Sequence, residues 1–278
     1  MTESSLLSET LSHAALRGAD LPTLRAAIRA GRYGRHTAGL AAGRLQTNLA
    51  ILPEAYALDF FRFCQRNPKP CPLVGVTDTG DPMLRTLGHD LDIRTDAPAY
   101  VVYEHGEAVA TVADIRKHWH DDLVGFALGC SFTFERALAE AGIPMRHIGM
   151  DLTVPMFRTS IGNVPAGPFG GGMVVSMRPI PEAEVARTVE ICRRYPLAHG
   201  APVHLGDPAA IGIADIAQPN WGDPVPMEPG EVPVFWACGV TPQNAVRRAC
   251  PPLFISHKPG SMLVTDIDER ADVPVITA

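Results

Sequence analysis

Phe235-Trp236-Ala237-Cys238-Gly239-Val240-Thr241-Pro242 is an apolar strand that runs straight into polar groups and a proline. Thr241 has the oxygen that a helix N-cap needs, and Pro242 has the fixed φ of a first helical turn. Two more stretches share this design, Val203-His204-Leu205-Gly206-Asp207-Pro208 and Phe254-Ile255-Ser256-His257-Lys258-Pro259-Gly260. Short strands at 201–205, 232–237, 253–256 and 262–264 alternate with short helices at 211–217 and 242–249, the pattern of an α/β sheet. In parallel sheets ligands bind outside the carboxyl ends of the strands. The spacing therefore predicts His204, Asp207, Cys238, Thr241 and His257 on one rim. Capping alone accounts equally for Asp207 and Thr241, and Cys238 also suits a small buried hydrophobe.

Upstream, residues 53–65 and 181–195 read as helices and 73–76 as a buried strand. Residues 100–103 and 108–112, joined through His105-Gly106, read as a hairpin. Residues 6–32 read as two helical pieces broken at Gly18-Ala19-Asp20. Residues 114–141 read as mostly helical with a break near Gly129-Cys130-Ser131, and strands follow at 154–157 and 173–177. That order predicts a smaller α+β two-layer domain over 113–197, inserted into a mixed α/β sheet domain built from 1–112 and 198–278. No repeat of fixed period is evident. Gly167 and Gly172 have P-loop spacing, but Met173-Val174 follows where Lys-Ser/Thr is required, so no nucleotide site is expected.

The 278 residues include 24 Lys and Arg against 30 Asp and Glu, a net charge of −6, with 46% hydrophobic residues. Such a chain builds a core and lacks the clustered basic residues of a nucleic-acid binder. No apolar run reaches the 18 residues of a membrane span, and the first ten residues hold an acid and no base, unlike a signal peptide. Six cysteines without a Cys-x-x-Cys pair read as reduced thiols, so the expected compartment is the cytoplasm. His118, His120, Asp121 and Asp122 form the densest His/Asp cluster, and His199 lies five residues before His204. No zinc-type spacing occurs, so no cofactor is expected, and a divalent metal stays open without support from spacing. Gly129-Cys130-Ser131-Phe132-Thr133-Phe134-Glu135 puts a thiol, a hydroxyl and a carboxylate where a helix begins, although a plain helix start with both Phe residues packed inward explains it too.

Longer stretches resemble the D-glutamate cyclase family. They are Asn48-Leu49-Ala50-Ile51-Leu52-Pro53, the run from Phe63 to Leu73, Asp92 to Asp96, Asp121 to Val124, Gly129 to Glu135, Val175 to Pro179, His199 to Pro208, Gly230 to Gln243, and His257 to Met262. Together they span roughly residues 20–268. Arg44-Leu45-Gln46-Thr47 departs from the expected pattern ahead of Asn48. The resemblance implies a two-domain α/β protein, a carbon–oxygen lyase that converts D-glutamate to 5-oxo-D-proline and water. Its partner would be a small acidic amino acid, with a homo-oligomer left open and no nucleic acid or membrane involved. Ring closure needs a proton acceptor for the amine, a polarised γ-carboxyl and an acid for the leaving oxygen. On the matching positions, His204 and His257 are the expected proton carriers, and Cys130 and Glu135 complete the catalytic set. Arg158, Arg178, His199, Asp207, Cys238 and Thr241 are the expected substrate contacts. Direct attack of the amine is preferred to a Cys130 thioester, which lies uphill without ATP. A dehydratase of another small hydroxy- or amino-acid, and a non-catalytic carboxylate-binding protein, are the rival readings.

Overall fold

The computed structural model describes residues 10–271. The expectations about the first nine residues, a missing signal peptide and the start of the first helical piece, lie outside them. The chain opens with α1 (His13–Leu16) and α2 (Leu21–Arg29), the two pieces separated at Gly18 as read. Next come β1 (Arg44–Pro53), α3 (Glu54–Arg66), β2 (Leu73–Val76), the hairpin β3 (Tyr100–Glu104) and β4 (Glu107–Val112), and β5 (Leu123–Gly129). The middle holds α4 (Phe132–Glu140), α5 (Arg146–Gly149), β6 (Met156–Gly162), β7 (Gly172–Pro181) and α6 (Val185–Arg193). The chain finishes with β8 (His204–Leu205), β9 (Glu231–Ala237), α7 (Val240–Ala249), β10 (Leu253–His257) and β11 (Leu263–Asp268).

These strands make two sheets. The first has the order β2-β5-β1-β10-β3-β4 with β11 also on β1, and the second runs β6-β7-β9-β8. The mixed α/β class is as read, but every strand pairing is antiparallel. Carboxyl ends of neighbouring strands therefore point to opposite edges, and the single rim expected of a parallel sheet does not exist.

The inserted domain over 113–197 also fails. Leu123–Gly129 is a central strand of the first sheet on β1, not part of a helix. It is apolar without alternation because both its faces are buried, which removes the period-2 signal. At the other end of the supposed insert, β7 pairs with β9 over seven rungs, from Val175↔Ala237 to Pro181↔Glu231. Sheet pairing cuts across the proposed boundary at both ends.

The chain is instead a duplication. β1 pairs with β5 over the same seven rungs, from Thr47↔Gly129 to Pro53↔Leu123. A short edge strand follows each time, β2 on β5 and β8 on β9. The helices after β1 and β7 carry the same spaced residues: Pro53-Glu54-Ala55 then Cys64, Arg66 and Pro68, and Pro181-Glu182-Ala183 then Cys192, Arg194 and Pro196. The corners after β5 and β9 match as well, with Cys130, Thr133 and Glu135 answering Cys238, Thr241 and Gln243. Backbone bonding repeats in detail. The Cys130 N–H donates to the Gln46 carbonyl and the Cys238 N–H to the Val174 carbonyl, both at 3.0 Å. The Thr133 hydroxyl accepts from the Gln46 N–H at 3.3 Å and the Thr241 hydroxyl from the Val174 N–H at 2.9 Å. After each corner helix the chain crosses over, so β6 joins β7 in the second sheet while β10 and β11 join β1 in the first.

Candidate functional site

The two corners meet where the sheets abut. The Asn48 side chain on β1 donates to the Gly129 carbonyl at 2.9 Å, and a Cβ on Gly239 would fall 2.0–2.3 Å from its amide. One amide group thus separates the start of α4 from the start of α7. Cys130 and Cys238, 6% and 8% exposed, share an apolar cluster with Phe132, Val174, Val240 and Met262. The N–H groups at each corner, Phe132 for Cys130 and Val240 with Gly239 for Cys238, favour the ionised thiol and work against burial. Burial pushes Cys238 up to about 11 and Cys130 higher still.

Beside the thiols lies a buried ion cluster. Arg178 on β7 reaches over to α4, where Nε donates to Glu135 Oε1 at 3.0 Å and Nη2 donates to Ser131 Oγ at 2.9 Å. Nη2 also bonds Glu135 Oε1, Nη1 donates to Ser176 Oγ at 3.0 Å, and the guanidinium sits 5.3 Å from the Phe134 ring and 5.2 Å from the Trp236 ring. His147 Nε2 stands 3.0 Å from the same Oε1, in an ion-pair contact that is off the line of a hydrogen bond. Burial raises the Glu135 pKa, but the charges of His147 and Arg178 outweigh it and hold the carboxyl at about 2. Glu135 is therefore ionised, and its Oε2 is buried with no partner. A cavity of about 270 Å³ adjoins Glu135, lined also by Gln46, Phe132, Ile148 and the 39–42 loop. Gln46 ties that loop down by donating to the Leu40 carbonyl at 3.0 Å and accepting from the Thr37 hydroxyl at 2.7 Å.

His257 ends β10 against β1. Its Nδ1 accepts from the Leu49 N–H at 3.0 Å and from the Gln243 side-chain amide at 3.1 Å, which assigns the ring proton to Nε2. Burial pushes its pKa down to about 4, so it is neutral at pH 7. His199, also buried, donates from Nδ1 to the Lys69 carbonyl at 2.8 Å, and burial likewise lowers it to about 4.

Of the residues singled out in the sequence, Cys130, Glu135, Arg178, Cys238, Thr241 and His257 gather around the two corners. His199 lies near enough to Arg178 to feel its charge, and three others do not gather there. His204 pairs with Phe235 while Arg178 pairs with Val234, so His204 faces the other side of the second sheet. Its Nε2 donates to the Asp207 carbonyl at 2.7 Å, and Asp207 caps the following turn through the Ala209 N–H. Arg158 stacks over Trp221 at 4.9 Å on an exposed stretch of β6. Arg178 needs correction in role, because its guanidinium is directed at Glu135 and two hydroxyls of the protein rather than at a free carboxylate site. Thr241 is a corner bond, as its twin Thr133 is. Asn48, His147, Ser176 and Gln243 were not foreseen. Only Gln243 carried a signal, its match to Glu135 four residues into the paired helix. Among the described residues no three His, Cys, Asp or Glu side chains are grouped to hold a metal ion, and no helix is long and apolar enough to cross a membrane.

The D-glutamate cyclase family model matches residues 124–266. A Dinoroseobacter shibae protein named "Putative hydro-lyase" is 64% identical across 94% of this chain and 87% of its own length. A Ruegeria pomeroyi protein of the same name is also 64% identical, across 94% of this chain and 95% of its own. The chain belongs to the D-glutamate cyclase family. The family match starts inside β5 and ends inside β11, so it takes in both thiol corners, the Glu135 cluster and His257 while leaving out Gln46 and Asn48. Among solved structures, a nitrogen repressor-like protein from Methanococcus jannaschii covers 86% of this chain and 96% of its own at 10% identity, with a TM-score of 0.38.

Proposed function

We propose that this chain is a hydro-lyase that closes D-glutamate to 5-oxo-D-proline with release of water. The observation that carries this reading is Glu135: a buried, ionised carboxylate with one oxygen unpartnered, on a residue that lines a small cavity, suits a substrate ammonium. The N-termini of α4 and α7, with their partial positive charge, suit the two carboxylates of an acidic amino acid. In the reaction an ammonium and a carboxylate become an amide and water, so one N–C bond forms and one C–O bond breaks. Both protons of the water come from the ammonium. Glu135, held ionised, receives and orients the ammonium by its charge, and the two protons pass to the departing oxygen as the N–C bond forms. His257, neutral and protonated at Nε2, supplies a donor rather than a base.

The test is chromatography for 5-oxoproline after incubation with D- or L-glutamate, with and without chelator. The expected result is product from D-glutamate, untouched by chelator, and a loss of roughly 10²–10⁴-fold in kcat/KM for Glu135→Gln. Circular dichroism of the variant checks that Arg178 has not unfolded it. A wild-type protein that binds D-glutamate and never releases 5-oxoproline would hand the site to another dehydration or to binding alone.

A further inference from the structure

The charges around the cavity beside Glu135 do not balance, and the imbalance describes an occupant. Five charged side chains line it, Glu135, Glu269, Arg17, Arg44 and Arg136. Two of them satisfy each other: Arg136 Nε donates to Glu269 Oε1 at 2.8 Å, and Glu140 holds the same guanidinium further. The other three have capacity to spare. Glu135 keeps Oε2 buried and unpartnered. Among the described residues Arg17, at the end of α1, has no side-chain hydrogen bond or ion pair. Arg44, the first residue of β1, donates to the Asp266 carbonyl and meets no carboxylate. Between these charges the wall is apolar, with Leu40, Phe132, Ala139 and Ile148. One unpartnered anionic oxygen and two cations without an anion are the complement of one ammonium and two carboxylates, and the apolar wall suits the methylenes that join them. The start of α4 at Phe132 adds roughly half a positive charge, too little to balance two carboxylates.

We propose that Arg17 and Arg44 hold the two carboxylates of the bound amino acid, one each, and so restrict the site to acidic amino acids. The inference rests on the reading that the substrate ammonium lies at Glu135, and it names what selects the substrate rather than what transforms it. A guanidinium offers a carboxylate two parallel N–H donors and stays charged at any working pH. An amide in place of one carboxylate, as in glutamine, leaves one arginine without its anion. Glutamate should therefore bind better than glutamine by roughly 10-fold or more. Both arginines stand outside residues 124–266 and Glu135 stands inside them, so the residues that choose the substrate come from the part of the chain that the family model does not match.

The experiment follows binding of D-glutamate and D-glutamine to the full chain by ligand NMR, for the wild type, Arg17→Met and Arg44→Met, with thermal unfolding as the check on folding. Each variant should weaken glutamate by roughly 10–100-fold. One of the two should weaken glutamine by a similar factor, because it has lost the partner of the α-carboxylate, and the other should leave glutamine within about 2-fold. Arg194→Met, at a separate surface hollow, should bind like the wild type. Variants that bind glutamate as tightly as the wild type overturn the proposal, and Arg17→Met is enough to show it, since that change breaks no side-chain bond among the described residues. A wild type that binds glutamine as tightly as glutamate overturns it, as does an equal loss of both ligands in both variants. A wild type that binds no glutamate overturns this proposal and the cyclase reading together. Glutamate binding that needs Glu135 and neither arginine overturns this one alone.

Discussion

Four residues into α4 the first copy has Glu135, and four residues into α7 the second has Gln243. The surroundings differ to match. Glu135 is held by Arg178 and faces His147, whereas Gln243 donates to a neutral His257. Arg178 occupies on β7 the place that Ala50 has on β1, and Ser131 the place of Gly239. One backbone plan thus carries an ion cluster in one copy and a neutral hydrogen-bonded pair in the other. A buried charge costs far more than a buried amide unless it is paired. The copy with ions is therefore where the proposed ligand site lies, and the neutral copy shows that the corner folds without them.

That contrast is broken most severely at Arg178. Arg178→Met leaves Glu135 buried and ionised among rings and hydroxyls, with an expected loss of about 3–5 kcal/mol in urea unfolding. Adding Glu135→Gln makes the first copy resemble the second and should restore most of the stability, since a well-packed neutral replacement for a buried pair is often nearly neutral. The double variant should fold and yet not bind glutamate. If the double is as unstable as the single, the two copies are not energetically equivalent.

A smaller break compares one backbone position in both copies. Gly129 and Ala237 end the paired strands, and a Cβ on Gly129 would fall 1.6 Å from the Leu197 carbonyl oxygen. Gly129→Ala should cost about 1–3 kcal/mol through the shift it forces on the loop at Leu197, while Ala237→Gly should cost less than half of that. Similar losses for both, measured by thermal unfolding, would mean that the loop yields freely.

The last test uses pH. His199 stands in the second copy where Cys71 stands in the first, and its folded pKa of about 4 lies below the ordinary 6.5. The unfolded chain binds the extra proton first as pH falls. The stabilisation is therefore complete above pH 6.5 and is lost down to about pH 4, at about 1.4 kcal/mol per pH unit for each such histidine. Glu135, with a folded pKa of about 2, keeps its contribution until the pH falls below 4.5. His199→Gln should flatten the urea midpoint between pH 6.5 and 4 and leave the profile below pH 4 unchanged. An unchanged slope above pH 4 would show that His199 is not the neutral buried ring described.

The sequence was most readable where one face of an element meets water. Helices α3 and α6 and the β3–β4 hairpin stand where their periodicity placed them. β1 and β5 were not recognised, because a strand buried on both faces loses its alternation and β5 then reads like a buried helix. Duplication was hidden by unequal spacing: the strand–helix parts repeat after 128 residues and the thiol corners after 108, since the first copy carries the added β3–β4 hairpin. At the candidate site, Cys130 and Glu135 were singled out from the helix start at Gly129-Cys130-Ser131, and Cys238 and Thr241 from a strand-end rim that the antiparallel sheet does not form; the structure nonetheless places all four around the two corners. His204 and Asp207 misled because a cap and a turn use the same residue types as a ligand site. His147 lies on a four-residue helix with no pattern around it, and only tertiary packing brings it to Glu135.

The crossing of β6 and β10 between the sheets has a consequence for what either copy can be by itself. Among the described residues the β3–β4 hairpin is bonded to the rest of the first sheet only through β10, a strand of the second copy. Strand β6 of the first copy, in turn, has β7 of the second as its partner in the sheet. Separated at the turn between β6 and β7, each half would expose the flank of a strand lined with buried apolar residues, Leu49 to Leu52 on one side and Val174, Val175 and Met177 on the other. The nearest surface that fits such a flank is another copy of the same unit. The two copies have freedom to diverge in side chains, as Glu135 and Gln243 have, and none to part company, because each is the other's missing edge.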